Sequence, residues 1–209
     1  MAWHNNDQGV YYYKPNESGW PDQRAIDNGM EVYYYFTGSV TTPWATESIA
    51  AMAGNMTLES TMNPFIRAAD QSGAFGLVQW VTFKSSMISW ARNNGLTPTD
   101  GMPQCSYIEL ERQGIDTQWL GRGDYQGITF SNFAYNSGNW TLAQLTKMFW
   151  ACFERSAEYQ SVRETYANVY YQFYTGAPPG PTPGSGIPIY ILKRRKPWYR
   201  PGGRKYIHA

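Results

Sequence analysis

Apolar side chains recur at three- and four-residue spacing along most of this chain, the period of a helix with one buried face. Ile49, Met52, Ala53 and Met56 form one such stripe. Thr42 offers a side-chain oxygen to a first turn and Pro43 fits the first helical position, so a helix is expected from Thr42 to about Met62, stopped by Asn63-Pro64. Phe83, Met87, Trp90 and Ala91 predict a second helix up to Asn94, with Gly95 as a left-handed stop. Ile108, Arg112, Ile115 and Trp119 place another over Ser106 to Gln118, ended at Gly121. Thr129 to Tyr135 reads as a short helix. Thr141 caps a stronger one through Leu142, Leu145, Phe149, Cys152 and Phe153. Ser156 caps the last, which carries Tyr159, Val162, Tyr166, Val169, Tyr170 and Phe173 to Gly176. A short helix at Glu31 to Phe36 precedes them all. The fold expected is mainly α, with residues 63–81 as a loop or small hairpin in which only short strands fit.

The two ends break this pattern. Residues 1–27, with YYYKPNESGWPDQ, are polar, aromatic and rich in turns, and read as an ordered arm without long regular structure. Residues 176–188, GAPPGPTPGSGIP, can neither continue a helix nor pair in a sheet, which makes them a semi-stiff linker. Beyond it, residues 189–209 are too short to fold alone. The division expected is an arm at 1–27, a helical domain at 28–175, the linker, and the tail.

Charge sharpens that division. The net charge of +1 conceals a polar arrangement: residues 1–188 hold all 16 acids against ten bases, a net of −6, and the tail holds seven bases and no acid. Those seven are Lys193, Arg194, Arg195, Lys196, Arg200, Arg204 and Lys205. Aromatics make up 17% of the chain, above the 16% that is charged, and rings with a polar edge suit a carbohydrate surface. Cys105 and Cys152 are too few for a disulfide framework and fall at core-facing helix positions, so both are expected as buried free thiols. His4 and His208 lie at opposite ends, and no cluster of Cys, His and carboxylates suggests a metal or calls for a cofactor. The start Met1-Ala2-Trp3-His4-Asn5 is no signal peptide, and no apolar run has the length of a membrane span.

The candidate chemistry sits at the end of the first strong stripe. Seven residues past Met52, about two turns on, the apolar face reaches Glu59. A carboxyl group held against apolar surface loses hydration and keeps its proton toward neutral pH, as a general acid must. The runs GNMTLES at 54–60, SGAFGLVQW at 72–80, SMISWARNNGL at 86–96 and FERSAEYQSVRETYANVYYQFY at 153–174 resemble the phage tail lysozyme family, which includes the peptidoglycan-cutting tail-tip proteins of phi29-like phages. The resemblance covers roughly residues 28–175. Its first two blocks are also similar to the Glu-Ser and Gly-Leu-Met-Gln motifs of goose-type lysozymes and soluble lytic transglycosylases, with Gly-Leu-Val-Gln here.

That resemblance implies a lysozyme-like α+β fold with one small β-hairpin after the catalytic helix. It makes Glu59 the catalytic acid, with Ser60, Gly76, Gln79 and Trp80 lining a saccharide groove. The bond implied joins N-acetylmuramic acid to N-acetylglucosamine. Asp70, eleven residues beyond Glu59, is the candidate base that activates a water, in competition with a plain turn at Asp-Gln-Ser-Gly. If the substrate's own acetamido group served instead, the enzyme would be a lytic transglycosylase. Ala134-Tyr135-Asn136 matches a triplet that those enzymes carry, which adds Tyr135 and Asn136 as substrate-side candidates. A lysozyme-like module that grips the wall or plugs a tail without cutting is the non-enzymatic alternative. The partners expected are bacterial peptidoglycan and other phage tail proteins, the latter met by the tail through Ile189 to Leu192 as an added strand and the basic run on an acidic surface. Nucleic acid is not expected. A wall-cutting enzyme without an export signal points to delivery by a virion.

Overall fold

Helix α2 (Thr46–Ser60) organises the fold, packing against helices on several sides. The computed structural model describes residues 3–4, 11–12, 21–67, 72–156 and 158–176. Within these lie α1 (Gln23–Gly38), α2, α3 (Lys84–Asn93), α4 (Gly101–Arg112), a 3₁₀ turn at Gly123–Tyr125, α5 (Phe130–Ala134), α6 (Leu142–Phe149) with a π-wound extension at Trp150–Glu154, and α7 (Val162–Thr175). The mainly α expectation holds. Every residue of α2 from Ser48 to Thr57 is buried, the signature of a helix wrapped by others rather than lying on a surface. Its polar members are paired inside: Ser48 donates to the Phe133 carbonyl at 2.6 Å and Thr57 to the Ala53 carbonyl at 2.8 Å.

Several boundaries differ from the pattern's reading. α2 starts at Thr46 rather than at Thr42, because Trp44 is drawn inward and holds the preceding chain extended. Its backbone N–H donates to the Phe36 carbonyl and its indole N–H to Glu109 Oε2, both at 2.9 Å. α1 is longer than the expected Glu31–Phe36 and takes in the last residues assigned to the arm. Asp22 caps it by accepting from the Arg24 N–H, and Gly29 stands mid-helix because a Cβ there would meet the Tyr170 ring at 2.2 Å. α4 begins at Gly101 and stops at Arg112, short of Gln118. Gly114 (φ +89°) and Ile115 return hydrogen bonds to the Glu111 and Leu110 carbonyls, a Schellman closure that leaves Ile115 exposed. α7 starts at Val162 rather than at Ser156, whose hydroxyl accepts from the Trp150 indole at 2.8 Å.

Other readings stand as made. Gly95 ends α3 in the left-handed conformation, with Leu96 N–H returning to the Ala91 carbonyl. Thr129 and Thr141 cap α5 and α6 through reciprocal capping boxes with Asn132 and Gln144. Cys105 and Cys152 are buried free thiols. In residues 63–81 the described residues hold two isolated antiparallel bridges, Arg67 with Phe75 and Phe75 with Trp80, in place of a hairpin ladder. Gly76 (φ +79°) and Gln79 (φ +50°) curl the chain too tightly for pairing to extend. No helix among the described residues is long and apolar enough to cross a membrane. Asp70, nearly all of the linker and the whole tail lie outside the described residues.

Candidate active site

Glu59 occupies the last turn of α2, where burial gives way to solvent and 20% of its side chain is exposed. The helix ends abruptly beyond it. Thr61 and Met62 both adopt left-handed backbone, φ +51° and +62°, which side-chain-bearing residues enter only when held there. The holds are visible: the Tyr12 N–H donates to Thr61 Oγ1 at 2.9 Å, and buried Asn28 donates to the Met62 carbonyl at 2.9 Å.

The loop motif is fastened to this helix end. The Ser60 hydroxyl lies 2.9 Å from both the Met56 and the Leu77 carbonyl, so Ser60 ties the Gly-Leu-Val-Gln turn to α2 and is itself buried. Gln104 of α4 clamps the same turn, accepting from the Leu77 N–H at 2.8 Å and donating to the Pro64 carbonyl at 2.7 Å. Gly76 is required by that clamp, since a Cβ there would stand 2.6 Å from Gln104 Oε1. Trp80 is a correction to the expected sugar platform. Backbone bonds in both directions with Phe75 turn its ring inward, edge-on to Tyr107, and it is 1% exposed. Of the four loop and groove candidates, Gln79 alone keeps solvent contact, its amide donating to the Gly76 carbonyl at 2.8 Å. Tyr135 and Asn136 fall elsewhere. The Arg112 guanidinium lies over the Tyr135 ring, and the Asn136 side chain is spent on both backbone groups of Trp140.

The environment of Glu59 is not the plain apolar surface that the stripe suggested. Arg163, in the first turn of α7, donates from Nη2 to Glu59 Oε1 at 2.5 Å, and its side chain is 3% exposed. Arg163 also donates to Asn55 Oδ1 at 3.0 Å. Asn55 is oriented for this by giving both amide protons to carbonyls, those of Ala51 and Thr146. The approach of α7 depends on Gly54, where a Cβ would stand 2.5 Å from the Arg163 carbonyl and 2.7 Å from the Ala167 nitrogen. A buried cation this well placed is costly to strand, so the pair with Glu59 fixes both side chains.

Two more carboxyl groups complete the cluster. Glu154 ends the π-wound turn. Although the residue keeps some solvent contact, its Oε1 is shut off and lacks a hydrogen-bond partner. Burial first, and then the like charge of Glu59, push its carboxyl well above the usual range, against the pull of Arg163. Glu111 of α4 is 1% exposed, and burial pushes it up to about 9 against the influence of the Trp80 indole N–H and the Gln118 backbone. Neither acid was singled out by the sequence, and nor was Arg163. Among the described residues no group of His, Cys, Asp and Glu is placed to hold a metal ion.

This arrangement can hold a proton beside a partly exposed carboxyl group at the mouth of a fixed loop, which is what acid-assisted cleavage of an acetal requires. Morphogenesis protein 1 of Bacillus phage B103 is 33% identical over 138 residues, 64% of this chain and 36% of that protein. The chain therefore spans about a third of the length of that curated relative. With residues 27–174 matched by the family model of the phage tail lysozymes, α2 to α6, most of α1 and α7, the clamped loop and the glutamate cluster fall inside the match, and the chain belongs to the phage tail lysozyme family.

Proposed function

We propose that this protein is a virion-associated muramidase that cleaves the glycan bond between N-acetylmuramic acid and N-acetylglucosamine as a phage crosses the bacterial wall. The observation that carries this reading is Glu59 itself: a partly exposed carboxyl group at the end of a buried helix, held by a buried arginine and flanked by the glycine-turned loop. Glu59 delivers a proton to the leaving oxygen as the anomeric carbon takes on oxocarbenium character. Asp70, six residues before Gly76, is the proposed base for the attacking water. Gln79 supplies a donor and an acceptor at the groove, while Ser60, Gly76 and the buried Trp80 give the loop its shape. The proposed catalytic unit is residues 28–175, with 176–188 as tether and 189–209 as a docking segment for another tail protein.

Mass spectrometry of the products released from purified peptidoglycan tests this reading. Reducing N-acetylmuramic acid ends are expected. Ends carrying a 1,6-anhydro ring would make the protein a lytic transglycosylase, and intact glycan strands would leave a wall-binding tail component.

A further inference from the structure

A general acid must arrive at its substrate with a proton, yet Glu59 is engaged in an ion pair. A carboxylate accepting from a guanidinium at 2.5 Å offers an acceptor and no proton. The proton has to be stored nearby. The groups that face Glu154 from the packed elements are Glu59 on α2, Arg163 on α7 and Glu111 on α4. Several atoms at this junction are buried without a hydrogen-bond partner, both Glu111 carboxyl oxygens among them, and two are complementary: Glu154 Oε1, an acceptor once ionised, and Arg163 Nε, a donor.

Resting on the muramidase reading, we propose that Glu154 is a positioning residue that stores the proton of Glu59, with Arg163 as the counter-ion the two acids share. In the resting site Glu59 is the anion on Arg163 and Glu154 is the neutral acid. When saccharide enters, the O–H bond of Glu154 breaks and an O–H bond forms on Glu59. The Glu154 carboxylate then takes up Arg163, so the cluster's net charge is unchanged. Glu59 passes that proton to the glycosidic oxygen; the proton of the attacking water leaves through its base to solvent, and solvent reprotonates the pair, which closes the balance.

The local winding supports this placement. α6 changes to π winding at Trp150, which inserts an extra residue into the turn and redirects Glu154. The carbonyls beside it find partners on the neighbouring loop: the Leu120 N–H donates to the Cys152 carbonyl at 2.9 Å and Arg122 Nε to the Ala151 carbonyl at 2.7 Å. Burial and the Glu59 charge both favour the neutral form of Glu154, as a store requires.

Glu154→Gln, which cannot release a proton, tests the idea in two independent ways in the full chain. Infrared titration at neutral pH is expected to show protonated carboxyl absorption from both Glu154 and Glu111 in the wild type, of which the Glu154 component is missing from the variant. With soluble glycan strands, kcat at neutral pH is expected to fall by about 100-fold, with KM unchanged and activity recovered toward acid pH. A kcat profile that superimposes on the wild type's, or an unchanged carboxyl band, overturns the proposal. Should Glu154→Gln not fold, Glu59→Gln serves in its place. Removing the like charge is expected to move the Glu154 titration to lower pH, and an unmoved titration overturns the proposal. The infrared arm needs no turnover, so a wild-type chain that cuts no glycan sinks the muramidase reading without deciding where the proton sits.

Discussion

Arg163 sets the chemistry of the site through a single side chain. Almost fully buried, it brings a positive charge to the end of α2 and meets Glu59 from 104 positions away in sequence. Beside it stands Glu154, and beside Glu154 stands Glu111, two carboxyl groups that burial pushes above the usual range. Keeping an acid neutral has a cost that depends on pH. Below the ordinary value of 4.5, Glu111 is protonated in folded and unfolded chains alike and costs nothing. Between there and about 9, the unfolded chain releases the proton and the folded one keeps it, so stability falls as pH rises. The slope is about 1.4 kcal/mol per pH unit at most. Glu111→Gln removes this dependence. Its denaturation midpoint is expected to lie near the wild type's at pH about 5 and to gain on it steadily toward pH about 8. Two parallel curves would contradict the burial account.

The crossing of α2 and α7 is the element on which the site depends. Gly54 lets the two backbones meet, and a Cβ there would press on the Arg163 carbonyl and on both the nitrogen and the Cβ of Ala167, largely backbone that cannot swing aside. Gly54→Ala is expected to cost about 2 kcal/mol, lower Tm by roughly 5 °C and displace Arg163 from Glu59, so that activity falls even at temperatures where the variant is folded. Wild-type melting and activity would refute that role. How far such elements can be read from sequence depends on where their causes lie. Thr141 announces α6 because a cap is a local bond, and Gly95 announces the end of α3 for the same reason. Ile115 continues an apolar rhythm past the true end of α4, since the left-handed turn at Gly114 outweighs the stripe. Trp44 shortens α2 through tertiary partners on α1 and α4 that no local pattern contains. The site divides in the same way. Glu59 is legible as a candidate at the end of a stripe, whereas Arg163 and Glu154 become candidates only when α7 and the π turn fold against α2.

At the scale of the whole molecule, an acidic body and a cationic tail are joined by a proline- and glycine-rich linker. Residues 189–209 carry seven bases and no acid, cannot bury a core of their own, and are suited to borrow order from an acidic partner surface. Deleting them is expected to leave wall cleavage intact and to abolish co-purification with virions; normal incorporation of the truncated chain would end the docking idea. The proposed cleavage rests on one proton. Glu59→Gln keeps the shape of the side chain and its contact with Arg163 while removing the acid. The rate at which purified peptidoglycan is cleared therefore tests the account most directly: the wild-type chain is expected to clear it, and folded Glu59→Gln to lose activity by at least about 100-fold. Clearing by that variant at an undiminished rate would contradict the assignment of Glu59 as the acid.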